Sequence, residues 1–455
     1  MKIKLSAFLL LLLLSIPAGT LINAQKKIWT LDDCIQYALE KNIQVQKAVV
    51  SNSIYDQDVY LSKSARYPSL SGSVRQNFNW NNVNQPNADG STSTVFKGTN
   101  GINISASSGL TIYNGSRLSN AIKQSETNLE ADKYNTEVVK ETVSLNILNA
   151  YLQVLFAQEQ VKNDSNQISS FAEQLNLAGE RLKLGAIANS DYLQVKSQLA
   201  TEKQTLATAQ SQLALNRITL MQLMEYPISG DFQIEYPNLV NLINQKRTPD
   251  PVEVYQTALG IKPEVKNAEL LKNSSQIGID LAKAAHYPNI SLNTGVTSSY
   301  SGYQTSFSTS YQPGSFGSQL ARNISPSIGL SASIPIYLNR QIKTNVEVAK
   351  LNSNNAELNE LNTKDVLRKA IEQACQNVVS NQIEYEASLE AYNAVKESYD
   401  VASEKYTQGL MGSVDYLIQK TTYISTESSF LQAKYNLIFS YKVLDFYSGQ
   451  PLSFK

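Results

Sequence analysis

Residues 184–193 read Leu184-Gly185-Ala186-Ile187-Ala188-Asn189-Ser190-Asp191-Tyr192-Leu193, and the fold turns on them. Upstream, back to Arg117, the chain holds no proline and only Gly179 as a further glycine. Downstream, Tyr192, Leu199, Leu206, Leu213 and Leu220 fall on every seventh residue, with Leu193, Ala200, Ala207, Ala214 and Met221 one place to the side. A sustained seven-residue period marks a helix packed along its whole length in coiled-coil fashion. The quoted segment therefore predicts a tight turn inside a long helical hairpin, about 117–225. Gly185 suits the left-handed position just past the first helix, and Ser190 the N-cap of the second. At 1.5 Å per residue the first arm reaches roughly 100 Å. That length spans a distance rather than filling a core.

The unit recurs. Tyr192, Leu199, Leu206, Leu213 and Leu220 return 224 places on as Tyr416, Tyr423, Phe430, Leu437 and Leu444. Gly185 returns as Gly409, and Asp191-Tyr192-Leu193 as Asp415-Tyr416-Leu417, which predicts a second hairpin over 340–448. The chain is an internal duplication: repeat 1 about 30–225, a Pro/Gly-rich linker at 226–250, and repeat 2 about 251–448. A short strand is expected within the linker at Asp231–Tyr236.

Lys2 and Lys4 precede an apolar run from Leu5 to Ile16, and Ile22-Asn23-Ala24 offers a small-residue cleavage site before Gln25. Residues 1–24 thus read as a secretory signal peptide, leaving 25–455 as the mature protomer. Gln25, not a cysteine, directly follows the cleavage site, which argues against lipid anchoring. Lys+Arg and Asp+Glu both number 39, so no net field favours nucleic acid. The two cysteines, Cys34 and Cys375, lie in helical patterns and read as buried thiols.

Ahead of each hairpin the period changes. Thr30-Leu31-Asp32-Asp33 is a capping box opening a helix over 31–41, and a second helix from about 43 stops at Tyr67-Pro68. From Ser69 to Trp80, Leu70, Val74, Phe78 and Trp80 alternate with Ser69, Ser71, Ser73, Arg75, Asn77 and Asn79. The same alternation marks 101–113, 289–300 and 324–337, with Ile102, Ile104, Leu292, Val296, Ile328 and Leu330 on the apolar face. These four strands are long enough to cross a bilayer at a tilt. Polar stretches at 81–100 and 301–323 read as loops, the second about four residues longer. No apolar run after the signal is long enough for a spanning helix, so any crossing must be a closed barrel. Four strands cannot close one, since the smallest membrane barrels have about eight. Several copies must pool their strands.

The pattern resembles the TolC-like family of outer-membrane efflux and export ducts. The resemblance rests on the duplication, Leu31-Asp32-Asp33 with Ala38-Leu39, Ala65-Arg66-Tyr67-Pro68 with Ala285-His286-Tyr287-Pro288, and Tyr406-Thr407-Gln408-Gly409 followed by Asp415-Tyr416-Leu417. It implies a mixed α and β membrane protein, a trimer sharing one transmembrane β-barrel with four strands per chain, continued by a long periplasmic α-helical barrel. It implies Sec export, residence in the outer membrane with its lipid, and a passive duct in a tripartite efflux pump or type I secretion system. Its partners would be a periplasmic adaptor and an inner-membrane pump. The tip is expected to carry the gate. Asp415 matches a pore-narrowing acid, although the second acidic position is Ile418 here. Asp191 and Gln174 match positions tying the first hairpin to the second, and Tyr406 matches their tyrosine partner. The family's basic partner falls at Met411, so the gate should rest on hydrogen bonds and packing. Gly185 and Gly409 would make the tip turns.

Catalytic readings do not survive. His286 stands without a second histidine or a cysteine cluster, and Asp32-Asp33 sit where a first helical turn favours acids. Gly179 with Gly185 lacks the spacing of a phosphate loop, and no nucleophile motif is found. No cofactor or metal is expected. The competing non-enzymatic reading is a periplasmic coiled-coil scaffold without a channel. It gives no reason for membrane-length alternating strands.

Overall fold

The computed structural model describes residues 28–87, 89–228, 232–302 and 314–454, so residues 1–24, read from sequence as a signal peptide, lie outside the described residues. In chain order the elements are β1 (Ile28–Trp29), α1 (Leu31–Lys41), α2 (Ile43–Ser64), β2 (Ser69–Pro86), β3 (Thr92–Tyr113), α3 (Arg117–Lys183), α4 (Asn189–Leu223), β4 (Gln233–Ile234) and α5 (Val240–Ile243). Then follow α6 (Pro251–Ile261), α7 (Pro263–Ala284), β5 (Asn289–Ser301), α8 (Phe316–Arg322), β6 (Ser325–Ser333), α9 (Gln341–Thr407) and α10 (Ser413–Tyr447). The duplication holds in the lengths: α3 and α9 each have 67 residues, α4 and α10 each 35. Residues 47–138 and 262–368 form one compact unit, and the rest of the chain forms the other.

In the first of these units the sheet runs β2-β3-β5-β6, antiparallel throughout. Register puts Val74 opposite Ile104 and Leu292 opposite both Leu110 and Leu330, so the apolar residues share one face. That face is bare: Leu70 is 82% exposed and Ile328 78%. The other face carries a serine ladder, with Ser71–Ser107 at 3.0 Å, Ser73–Ser105 at 2.8 Å and Ser291–Ser331 at 2.8 Å. Among the described residues the outer edges of β2 and β6 are unpaired.

Two strand boundaries differ from the sequence reading. The stretch 81–100, read as a loop, continues the β2–β3 ladder to Pro86↔Thr92. The side-chain pattern fades there, but the backbone groups still satisfy one another. Cross-strand polar bonds such as Thr94 Oγ1 to Asn84 Oδ1 at 2.8 Å add to the ladder. The last strand ends at Ser333 rather than 337, because Pro335 has no N–H to extend a ladder. Of the second loop, residues 303–313 lie outside the described residues. Its end forms α8, whose Phe316 packs edge-on against Tyr300 at 5.1 Å.

The other unit contains a continuous apolar core. Thr30 opens α1 with a reciprocal capping box: its Oγ1 accepts from the Asp33 N–H at 3.1 Å, and its own N–H reaches Asp33 Oδ2 at 3.2 Å. That cap seats Leu31, Cys34 and Ala38 against Ile147, Tyr151, Leu155, Met224 and Ile438. The linker belongs to this core. β4 pairs in parallel with β1, and Tyr151 Oη donates to the Glu235 carbonyl at 2.8 Å. The expected strand at 231–236 is thus the pair Gln233–Ile234, with Asp231 outside the described residues. Further on, Tyr441 Oη donates to the Gln245 carbonyl at 2.8 Å, and Arg247 pairs with Asp445 at 2.5 Å. Cys34 and Cys375 are buried and no disulfide joins them.

Candidate functional site: a clasp between the two hairpin tips

Both tip turns lie in the second-described unit, and both are built alike. Gly185 has φ +70° and Gly409 φ +76°. At the first, the Gly185 N–H bonds the Leu182 carbonyl at 3.0 Å and the Ala186 N–H the Arg181 carbonyl at 2.8 Å. At the second, Gly409 bonds Tyr406 at 3.1 Å and Leu410 bonds Lys405 at 2.8 Å. These are Schellman closures, in which a left-handed glycine lets the last turn bond back on itself. The start of α4 differs from expectation. Its N-cap is Ala188, with no side-chain cap, and Ser190 already lies inside the helix. The left-handed Gly185 reverses the chain within so few residues that helix resumes two positions early. Asp191 then supplies the first-turn acid that favours a helix N-terminus.

Arg181 joins the hairpins. Its Nη2 donates to the Tyr406 carbonyl at 3.0 Å and the Thr407 carbonyl at 2.8 Å, and its guanidinium lies 5.1 Å from the Tyr406 ring centroid. The first hairpin thus caps the carbonyl end of α9, where a cation is favoured by the helix dipole. Tyr406 is buried and stacks on Tyr416 at 4.5 Å between centroids. Tyr416, 2% exposed, accepts a hydrogen bond from Gln174 Nε2, and its hydroxyl lies 3.1 Å from that of Tyr399. Burial pushes the Tyr406 and Tyr416 phenols up, so both remain neutral. The stack continues up the second hairpin. Tyr399–Tyr423 centroids are 5.0 Å apart and Tyr392–Phe430 5.1 Å, both near parallel.

Gln174 and Tyr406 therefore meet, through Tyr416 rather than directly. Asp191 lines the same groove with Arg181, Ile187, Tyr406, Leu410 and Met411, a space of about 690 Å³. Asp415 is not part of the clasp: it is exposed at the start of α10 and makes no hydrogen bond or ion pair among the described residues. Ile418 is likewise 56% exposed. His286 is exposed, and no group of metal-ligating side chains occurs among the described residues. Arg181, Tyr399 and Tyr416 were missed as contacts. For the two tyrosines the signal was present: Tyr385, Tyr392, Tyr399 and Tyr406 recur every seventh residue and face the period of Tyr416, Tyr423 and Phe430.

The model of the family described as outer membrane efflux protein matches residues 34–224 and again 254–450, one match per repeat. The chain belongs to the outer membrane efflux protein family. Outer membrane protein TolC of Escherichia coli (strain K12) is 26% identical over 377 residues, 77% of this chain and 71% of that protein. Outer membrane efflux protein BepC of Brucella suis biovar 1 is 21% identical over 439 residues, 94% and 87%. The crystal structure of the Campylobacter jejuni CmeC outer membrane channel superposes with a TM-score of 0.75 at 18% identity, covering 93% of this chain and 86% of that one. The fold is that of a TolC-family channel, mostly helical with some strands. As a family member the chain is an outer-membrane efflux channel, and the family is one of ducts, not enzymes.

Proposed function

We propose that three copies of this chain form one duct. Its wall in the outer membrane pools three four-stranded sheets, and its helices continue as a periplasmic barrel. The supporting observation is the sheet itself: an exposed apolar face, a serine-laddered opposite face and two unpaired edges. Unpaired backbone edges cost several kcal/mol per group in lipid, whereas edges of neighbouring copies would satisfy each other. Export by the segment at residues 1–24 would deliver the chain. A periplasmic adaptor and an inner-membrane pump would use the duct as the exit of a tripartite efflux or type I secretion machine. In this reading the clasp of Arg181, Gln174, Tyr406 and Tyr416, with Asp191 beside it, holds the tip closed, and the turns at Gly185 and Gly409 are its ends.

Asp415 takes a separate role. Exposed and unpaired, it would present a ring of acids to the pore when three copies assemble. Asp415→Ala is expected to weaken block of the channel by divalent cations about tenfold, because the local field that concentrates them is removed. Single-channel recording with calcium or cobalt on the tip side checks this. Unchanged conductance and unchanged block would remove Asp415 from the constriction. A scaffold without a channel would show no conductance steps at all.

A further inference from the structure

The apolar seam between the hairpins has one residue of the wrong type. On α10, Leu417 and Ile424 pack into a cluster with Phe171 and Ala178 of α3 and Val195 and Leu199 of α4. Lys420 falls between them at helical spacing, where the pattern calls for another apolar side chain. It is 0% exposed. Its Nζ lies 3.6 Å from the Phe171 ring centroid and donates to Ser170 Oγ at 2.9 Å. Among the described residues no carboxylate lies within ion-pair distance of it.

An ammonium buried this way has lost its water and gained one hydroxyl and one ring face. A buried charge without a partner ordinarily neutralises instead. The charged and titratable groups facing it are Glu173 of α3 and Glu202 of α4, both of which favour the protonated amine. Farther along the seam stand Asp164 of α3 and Glu427 of α10, and Tyr399 of α9 connects to Lys420 only through Tyr416, Gln174 and Ser170. Glu202 is engaged by Gln198 Nε2 at 2.8 Å. Burial outweighs the two glutamates and brings Lys420 down from 10.5 to about 7.

We propose that Lys420 makes the seam between the two hairpins proton-sensitive: the closed seam holds its amine uncharged, and uptake of a proton favours parting of the hairpins. The proposal rests on the tip being the gate. The direction follows from linkage. A lysine released to water keeps its proton up to its ordinary value of 10.5. Between about pH 7 and 10 the parted form therefore binds more protons than the closed one. Each unit of falling pH in that window should favour parting about tenfold per chain. Below pH 7 both forms are protonated and the dependence levels off.

The test is the open fraction of the purified full-length channel in planar bilayers from pH 6 to 10. Wild type is expected to open more as pH falls from 10 to 7 and to level off below. Lys420→Met should flatten the profile in that window and lower the open fraction at pH 7. Lys420→Gln, which keeps a polar tip, serves the same comparison should the methionine variant not assemble. A wild-type slope retained in either assembled variant overturns the proposal, as does a wild-type profile flat from pH 7 to 10. Absence of any conductance from wild type overturns instead the duct on which it rests.

Discussion

Gly115→Ala should abolish assembly of the protein in the outer membrane. Gly115 sits between β3 and α3 with φ +65°, where the left-handed backbone costs an L-residue about 1–2 kcal/mol. The greater obstacle is steric. A Cβ there would lie 2.6 Å from Tyr287 Cβ, 2.8 Å from Tyr287 Cδ2 and 2.9 Å from the Ala284 carbonyl oxygen. None of these is the far end of a flexible side chain. Tyr287 is held by its own N–H bond to Ala284 at 3.1 Å, and Pro288 follows it. The second repeat makes the same corner with Asn339 at φ +47° and Arg340 at +62°, as the first does with Gly115 and Ser116. Gly185→Ala is the matched control, since its added Cβ would meet nothing within 4 Å. It carries only the backbone cost and should assemble normally. The readout is the share of each variant recovered from outer membranes as a detergent-stable oligomer. Near-normal recovery of Gly115→Ala would refute the close packing at this corner.

Arg181→Ala should loosen the tip. It deletes two charge-assisted hydrogen bonds to the end of α9 and the guanidinium over Tyr406. Each such bond is worth about 1.5–3 kcal/mol when buried. Arg181 is half-exposed, so a net loss of about 2 kcal/mol is expected, roughly thirtyfold in the balance between clasped and parted hairpins. Arg181→Lys keeps the charge but not the planar guanidinium over Tyr406 that holds one nitrogen against both carbonyls, and should fall between. Open time in planar bilayers measures both. An unchanged open time in Arg181→Ala would assign the clasp wholly to the tyrosine stack.

The hairpins, the duplication and the alternating strands were legible because each is a periodic signal carried by many residues. Leu199 and Leu437, seven-residue positions in the two repeats, are both buried. The tip was legible only in part. Gly185 and Gly409 announce their turns because a left-handed backbone selects glycine. Ser190 misled because a capping residue type does not fix where a helix resumes. Arg181 gave no local sign: its partners are carbonyls of a helix more than two hundred residues on, and a carbonyl has no signature in sequence. The hairpin beyond Trp80 was hidden for a related reason, since a backbone ladder satisfies its own hydrogen bonds and needs no apolar alternation. Lys420 is the converse case. The seven-residue pattern marks its neighbourhood as seam, so a charge there could have been noticed as an exception.

In the proposed duct one chain supplies a third of the wall. Imaging the detergent-solubilised protein by electron cryo-microscopy tests this most directly. The expected image is a threefold particle with one continuous hollow running from a twelve-stranded ring, four strands from each copy, to the ends of the long hairpins. A stable single-chain particle, or a threefold one whose sheets do not join edge to edge, would contradict it.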